Sequence, residues 1–266
     1  MKLLILGAQG MLGQMVHRYF NKQADFTVVS LDTRYEVQNY IEFLEHVNSH
    51  RADVVLNCIG LIKQRYQAPK ALYDVNARLP GHLAVGLLPD TLLVHPSTDC
   101  IFKGTQVSMY GANMAPDAED DYGISKSMGE LVVALRPKTL LIRTSIIGPD
   151  TRPDGLGLMA WFMKQPRGAR INGYTNHIWN GVTTLQWCKV VASLLEEARE
   201  YDHAQLVQTG LSEPVSKYEL LSSMNLIFNR GVEVRPHEDA HGINRSLLPD
   251  LVACPIEQQL EEIAVL

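Results

Sequence analysis

Short apolar runs alternate regularly with segments of helical spacing over residues 1–149 of this chain. The runs at 54–56 and 140–142 are continuously apolar, which indicates strands that are buried on both faces of a sheet. Strands that alternate with helices predict βαβ units and a parallel sheet. We therefore predict an α/β fold with a Rossmann-type doubly wound parallel sheet, whose ligands bind at the carboxyl ends of the strands.

The pattern changes after Gly148-Pro149. Residues 150–157 are rich in Gly, Pro and Asp, as loops are. Three helical patterns follow, at 184–200, 216–229 and 256–264. We predict an NAD(P)-binding Rossmann domain at 1–149 and a smaller, mainly substrate-binding C-terminal lobe at 150–266. The apolar segment near 204–210 is a candidate to return to the main sheet.

Composition and charge narrow the class of protein. The formal net charge is −5, whereas nucleic-acid binders usually carry a basic face, so we expect no nucleic-acid partner. The four cysteines form no CxxC pair, and we assign no metal site. The apolar run at the start stops at Gly7, too short for a signal peptide, and no other stretch is long enough to span a bilayer. We expect a cytoplasmic protein without a membrane partner.

Three glycines follow the first predicted strand at the spacing GxxGxxG and lead into a predicted helix. Gly7 permits a tight turn, Gly10 lets the backbone approach a pyrophosphate, and Gly13 allows the helix to pack closely on the strand. The helix N-terminus then presents free N–H groups to phosphates. Because this is the first of several βα units, we favour dinucleotide binding over a tight turn without a ligand.

The end of the second predicted strand bears on the choice of dinucleotide. Asp32 stands near the position of the acid that bonds the ribose hydroxyls, and such an acid favours NAD(H). Arg34 would instead neutralise the 2′-phosphate of NADP(H). Both cofactors stay open, and Asp32 as a helix or turn cap is the alternative.

Tyr122 and Lys126 form a Tyr-x-x-x-Lys pair at the start of a predicted helix. Residues four apart lie on one helix face, so the ammonium would sit beside the phenol and lower its pKa. We predict that Tyr122 donates a proton to a carbonyl that accepts hydride. Ser97 or Thr98, at the end of the fourth strand, would hydrogen-bond that carbonyl. A surface pair and an ordinary strand-end turn are the alternatives.

Together, the segments 7–13, 97–102 and 122–126 resemble those of extended short-chain dehydrogenases/reductases, and within them the dTDP-4-dehydrorhamnose reductase group. The resemblance covers 1–149 well and the remainder loosely. Cys100 stands where the group usually has Tyr.

The resemblance implies an NAD(P)H-dependent oxidoreductase that reduces a nucleotide-activated 4-keto-6-deoxy sugar. Thr98 would polarise the ketone, Tyr122 would protonate the new alkoxide, and Lys126 would hold the nicotinamide ribose. A sugar-nucleotide epimerase or dehydratase with retained NAD and a non-catalytic NADP-binding regulatory subunit are the alternatives. A homodimer through exposed helices is a further prediction.

The motifs and the resemblance together give two sets of predicted site residues. The predicted cofactor-binding residues are Gly7, Gln9, Gly10, Met11, Leu12, Gly13, Asp32, Thr33, Arg34, Cys58, Ile59, Gly60, Asn76, Ser97, Tyr122, Lys126 and Ser145. The predicted substrate-binding residues are Thr98, Asp99, Ile146, Trp179, Asn180 and Arg245, with Arg170, Asn176 and His177 as further candidates.

Overall fold

The computed structural model describes residues 1–65 and 68–266, and for Arg199 the backbone alone. The strands are β1 (Lys2–Leu6), β2 (Thr27–Leu31), β3 (Val54–Asn57), β4 (Leu92–Ser97), β5 (Thr139–Arg143), β6 (Ile146–Ile147), β7 (Arg170–Tyr174), β8 (His177–Trp179), β9 (Val182–Thr183), β10 (Gln205–Gly210), β11 (Val215–Ser216), β12 (Glu233–His237), β13 (Ile243–Asn244) and β14 (Leu251–Val252). The α-helices are α1 (Met11–Phe20), α2 (Tyr40–Ser49), α3 (Pro69–Tyr73), α4 (Leu79–Gly86), α5 (Asp121–Val133), α6 (Leu158–Met163), α7 (Thr184–Arg199), α8 (Lys217–Ile227) and α9 (Ile256–Ala264).

Seven parallel strands form the central sheet, in the order β14-β10-β5-β4-β3-β1-β2. The chain first adds β2 on one side of β1 and then crosses to β3 on its other side. The direction of winding therefore reverses between β1 and β3, which creates a crevice at the carboxyl ends of these strands. The predicted doubly wound parallel sheet is confirmed.

Successive residues of the central strands point into two separate cores, one on each face of the sheet. Leu3 and Ile5 of β1 pack into a cluster with side chains of α1 and α7. Leu4 and Leu6 pack into a second cluster with side chains of α2 and α4. All four side chains are fully buried, and each contributes about 1.5–3 kcal/mol by leaving water. Burial on both faces explains why the strand sequences are continuously apolar.

The C-terminal part of the chain contributes strands both to the central sheet and to smaller sheets outside it. β10 pairs with β5, and β14 pairs with β10. Outside this sheet, β7 pairs with β12, while β8 pairs with β11 and β13. A π-helical turn, Asp74–Arg78, separates α3 from α4. Within the described part of the chain, no helix is both long and apolar enough to cross a membrane.

Candidate active site

Of the three glycines in the turn after β1, Gly7 and Gly13 are required by the packing of the protein, whereas Gly10 is not. Gly7 has a φ of +76°, and a Cβ there would lie 2.9 Å from Ile59 Cγ1. A Cβ on Gly13 would lie 2.1 Å from the Gly7 carbonyl oxygen. At Gly10, however, the nearest atom would be 3.4 Å away, and Gly10 lines a cavity. The free space beside Gly10 fits a phosphate group that approaches the backbone.

The N-terminus of α1 opens onto the same cavity. Gly10 is the N-cap residue and no side chain caps the helix. Met11 and Leu12, the first residues of the helix, line the cavity. The Gln14 side chain donates to the Gln9 carbonyl at 2.8 Å and fixes the turn. The uncapped N–H groups and the helix dipole make this a suitable place for an anion.

The cavity has a volume of about 420 Å³ and lies at the carboxyl ends of the central strands. The predicted residues that line it are Gly10, Met11, Leu12, Cys58, Ile59, Gly60, Asn76, Ser97, Thr98, Asp99, Tyr122, Lys126, Ser145 and Ile146. Gly7, Gln9, Gly13, Asp32, Thr33, Arg34, Trp179, Asn180 and Arg245 are not among its lining residues. The fold thus brings the glycine turn and the Tyr–Lys pair to one cavity.

Helix α5 carries the Tyr–Lys pair and is held by close packing. Asp120 caps it, because its Oδ1 accepts the Gly123 N–H at 2.9 Å. A Cβ on Gly123 would lie 2.3 Å from the Cys100 carbonyl oxygen, so the helix rests directly on the turn that follows β4. This contact places Tyr122 beside Thr98, and both side chains line the cavity.

Thr98 directly follows β4 and caps the 3₁₀ turn after it. Its hydroxyl accepts the Cys100 N–H at 3.2 Å and donates to Asp99 Oδ1 at 3.0 Å. Thr98 also acts on Tyr122, where it lowers the pKa of the phenol. The two hydroxyls therefore lie close enough to bind one carbonyl oxygen together.

The pKa of Tyr122 is raised well above its usual range, because burial disfavours the phenolate. Cys100 and the carboxylate of Asp99 raise the pKa of Tyr122 further, and Thr98 opposes them. Lys126 is not among the groups that shift this pKa, so the lowering predicted from the Tyr-x-x-x-Lys spacing is not found. A phenol that keeps its proton at neutral pH suits a proton donor.

Lys126 is buried and lines the cavity. Its ammonium donates to the Pro96 carbonyl at 2.8 Å. Burial lowers the pKa of Lys126 to about 8, and Glu130, one turn later in α5, opposes that shift. The ammonium therefore joins α5 to the carboxyl end of β4.

Two predicted cofactor ligands have their side chains engaged within the protein. Asn76, in the π-helical turn, accepts the Leu61 N–H and donates to the Leu61 carbonyl, both at 2.9 Å, and also donates to Ser125 Oγ at 3.2 Å. The Ser97 hydroxyl donates to Glu130 at 2.5 Å. Asn76 thus fixes the loop after β3 against α5, and Ser97 joins β4 to α5. Both residues line the cavity, and their contact with a cofactor stays a prediction.

The residues proposed to select the dinucleotide follow β2 and are exposed. Asp32, Thr33 and Arg34 all lie at the surface, and Thr33 Oγ1 lies 2.6 Å from His46 Nδ1. Because β2 is the neighbour of β1, they lie at the same carboxyl edge as the glycine turn.

Among the predicted substrate residues, Asn180 has no amide donor left for a ligand. Its Nδ2 donates to the carbonyls of Leu211 (3.1 Å) and Leu247 (2.7 Å), and its Oδ1 accepts the Leu247 N–H at 3.0 Å. These hydrogen bonds join the segment after β8 to Leu211 and Leu247, and a contact of Asn180 with substrate stays a prediction. Arg170, exposed, pairs with Glu233 at 2.9 Å.

Trp179 and Arg245 are two further predicted substrate residues that do not line the first cavity. Trp179 is 3% exposed. Arg245 donates to the Phe102 carbonyl at 2.7 Å and lines a second cavity of about 350 Å³ together with Asp120. Asn176 and His177 lie near Asp239, whose carbonyl accepts from Asn176 Nδ2 at 2.7 Å and whose carboxylate lies 3.7 Å from His177 Nε2.

Sequence reasoning missed two loops that border the first cavity. Lys63 follows β3, pairs with Asp120 at 2.7 Å and lies 5.8 Å from the centre of the Tyr122 ring. Arg65 pairs with Asp154 of the loop after β6 at 2.6 Å. The sequence signal that could have identified these loops is the pair of cations, Lys63 and Arg65, in the loop after β3. Loops at the carboxyl ends of parallel strands are where such folds bind ligands. No group of three or more His, Cys, Asp or Glu among the described residues is placed to hold a metal ion.

Two curated proteins are similar to this chain in sequence. A curated dTDP-4-dehydrorhamnose reductase of Aggregatibacter actinomycetemcomitans is 28% identical over 149 residues, which cover 54% of this chain and 51% of the relative. A probable dTDP-4,6-dihydroxy-2-methyloxan-3-one 4-ketoreductase of Streptomyces antibioticus is 31% identical over 153 residues, 54% of this chain and 51% of the relative. The chain's match spans about half the length of these curated relatives.

A solved structure shares the fold over nearly the whole chain. It is the dTDP-4-dehydrorhamnose reductase of Bacillus anthracis in complex with NADP, with a TM-score of 0.85 and 20% identity, covering 99% of this chain and 98% of that one. The family model described as the RmlD substrate binding domain matches residues 1–174, which is more than half of the chain. The resemblance of the sequence motifs is thereby confirmed, and the chain belongs to the RmlD substrate binding domain family.

Proposed function

We propose that this protein is an NAD(P)H-dependent reductase that converts the ketone of a nucleotide-activated 4-keto-6-deoxy sugar to an alcohol. The observation that carries the proposal is the meeting of Thr98, Tyr122 and Lys126 with the glycine turn in one cavity. The names of the curated relatives support the class of reaction, since both are named as reductases of dTDP-linked substrates.

The residues around the glycine turn fit a dinucleotide. The space beside Gly10 and the uncapped N-terminus of α1 suit its pyrophosphate. A structural neighbour is in complex with NADP, so NADPH is the first cofactor to test here. Arg34, exposed after β2, would neutralise a 2′-phosphate, and Asp32 would instead bond the ribose hydroxyls of NADH.

The bound cofactor, when present, supplies the hydride that goes to the ketone carbon. Thr98 and Tyr122 would hydrogen-bond the ketone oxygen and draw charge toward it. The Tyr122 hydroxyl then gives its proton to that oxygen, which completes the alcohol. Lys126, held at the Pro96 carbonyl, would hold the nicotinamide ribose, and a solvent proton would restore the phenol of Tyr122.

The test is the oxidation of NADPH and NADH, followed by absorbance, against a panel of 4-keto-6-deoxy sugar nucleotides. The proposal predicts stoichiometric loss of reduced cofactor with at least one sugar. Tyr122→Phe should lower kcat by about 10²–10⁴-fold, the usual contribution of a positioned acid. The matched control is Tyr201→Phe, since Tyr201 follows α7 and is not among the residues that line the cavity.

The possible outcomes separate the alternatives. Interconversion of sugar nucleotides without net loss of reduced cofactor would favour an epimerase or dehydratase. Cofactor binding without any turnover would favour a regulatory subunit. Full activity of Tyr122→Phe would refute its role as proton donor, while leaving the reductase itself in place.

A further inference from the structure

Lys217, the first residue of α8, has a charged group that the proposed mechanism does not use. Its ammonium lies 5.0 Å from the centre of the Trp179 ring. The short strand β11 brings it there, because Val215 pairs with Trp179 of β8. Among the described residues, this ammonium has no hydrogen bond and no ion pair. The nearby Glu219 is committed to the capping box, where its carboxylate accepts the Ser216 N–H at 2.7 Å.

This position is unfavourable for a lysine without a ligand. Burial lowers the pKa of Lys217 to about 8, which shows that its charge is poorly solvated. The ammonium also lies at the N-terminal, positive end of a helix dipole, where cations are disfavoured. Arg245 adds a second positive charge within electrostatic range. The charge of Asp99 offsets these effects only in part.

A second donor beside Lys217 also has no acceptor. Trp179 is 3% exposed, and its indole Nε1 has no hydrogen-bond partner in the described part of the chain. A buried donor without an acceptor costs free energy that a ligand oxygen would recover. Two unpartnered donors at one indole ring, the ammonium over its face and the N–H at its edge, therefore point to a ligand rich in oxygen atoms.

The location links this ligand to the catalytic centre. Asp99 and Cys100 lie within electrostatic range of Lys217, and the same two residues act on Tyr122. Both follow Thr98 directly and line the cavity. Lys217 and Trp179 are not themselves among the residues that line the cavity, so the oxygen that meets Lys217 would be a substituent that extends past Asp99 and Cys100 from a sugar held at Thr98 and Tyr122.

We propose that Lys217 is a specificity-determining residue, whose ammonium donates a hydrogen bond to an oxygen substituent of the hexose that is reduced at Tyr122. This role rests on the proposed reductase function. It assigns Lys217 to the sugar itself, beside Trp179, and separates it from residues that bind the nucleotide portion.

The test compares Lys217→Met and Lys217→Arg with the wild-type protein. Loss of a hydrogen bond from a charged donor should raise KM for the sugar nucleotide about 10–100-fold in Lys217→Met, with kcat and the affinity for NADPH little changed. The inhibition constant of the free nucleoside diphosphate, without a sugar, should not change. Lys217→Arg should recover part of the affinity. Lys22→Met is the control, because Lys22 is exposed just beyond α1.

A pH series gives an independent readout of the same contact. Since the pKa of Lys217 is about 8, the wild-type KM should rise above that pH as the ammonium loses its proton. Lys217→Arg should show a smaller rise, because arginine stays charged while Lys126, whose pKa burial also lowers to about 8, still titrates in both proteins.

Three results would overturn the inference. An unchanged KM in Lys217→Met would show that the ammonium does not contact the substrate. An equal loss of affinity for the free nucleoside diphosphate would assign Lys217 to the diphosphate instead of the hexose. Loss of NADPH binding or of the folded state in both Lys217 variants would assign it a structural role. A wild-type protein that reduces no 4-keto sugar nucleotide would contradict the proposed function itself.

Discussion

Replacing Glu130 by Gln is expected to destabilise the protein strongly, because Glu130 forms a buried ion pair with Arg143. Their side chains are 11% and 3% exposed. The Ser97 hydroxyl donates to the same carboxylate, and Arg143 also donates to Gln208 Oε1 at 2.8 Å. The pair thus joins α5, which carries Tyr122 and Lys126, to β4, β5 and β10. Removing one partner leaves a buried charge without its counter-charge, which costs about 3–5 kcal/mol.

Chemical denaturation followed by circular dichroism measures this loss as a fall in the free energy of unfolding. In thermal unfolding, 1 kcal/mol corresponds to about 2–4 °C for a domain of this size, so Tm should fall by roughly 6–20 °C. The matched control is Glu233→Gln, which breaks the exposed pair with Arg170 and should leave the midpoint unchanged.

A double variant tests the cause of the destabilisation. If the unpaired charge of Arg143 is responsible, Glu130→Gln combined with Arg143→Met should recover part of the lost stability. A loss below about 1 kcal/mol in Glu130→Gln alone would refute the argument from burial.

Three further predictions concern the glycine turn and Lys126. Gly10→Ala should lower the free energy of unfolding by less than about 1 kcal/mol. It should weaken NADPH binding at least about tenfold, as measured by titration of cofactor fluorescence. An unchanged affinity would mean that no phosphate approaches Gly10. Gly13→Ala should instead prevent stable folding, because its Cβ would lie 2.1 Å from the Gly7 carbonyl oxygen; a folded protein of wild-type Tm would contradict the geometry. Burial lowers the pKa of Lys126 from its ordinary 10.5 to about 8, so between these values the unfolded chain binds more protons than the folded one, and stability rises with pH. Lys126→Met should remove about 3 kcal/mol of that rise; denaturation curves of equal pH dependence in both proteins would show that Lys126 is not the group that titrates.

The main sheet and the cavity followed from the sequence because both depend on local patterns. Continuous apolar runs predicted β3 and β5, and the glycine turn lies between β1 and α1 as expected. In a parallel sheet all carboxyl ends meet at one edge, so residues after different strands are brought together. Tyr122 and Thr98 could therefore be assigned to one site without knowledge of their contacts.

The roles of buried polar residues could not be predicted, because they are decided by partners distant in the chain. Ser97 and Asn180 have the residue types of ligand contacts, yet Glu130 and Leu247 use their hydrogen bonds. The direction of the pKa shift of Tyr122 likewise depends on burial, which spacing alone does not give.

Elements of the C-terminal lobe were missed for a related reason. β7 has only two buried positions, Ile171 and Gly173, in alternation with exposed or partly exposed ones. Its partner β12 begins at Glu233, far along the chain, and supplies the hydrogen bonds that make it a strand. The sequence of β7 is therefore not apolar enough to be recognised as a strand by itself. Lys217 was missed because a lysine at the start of a helix is ordinarily a solvated surface residue.

The most direct test of the central claim follows the hydride itself. NADPH carrying deuterium at the transferred position of the nicotinamide would be incubated with a 4-keto-6-deoxy sugar nucleotide, and the product examined by mass spectrometry and NMR. The account predicts one deuterium per sugar, bonded to the carbon that was the ketone, and loss of this product in Tyr122→Phe. A sugar product without deuterium, formed while the cofactor keeps its label, would contradict the claim that the protein is a reductase.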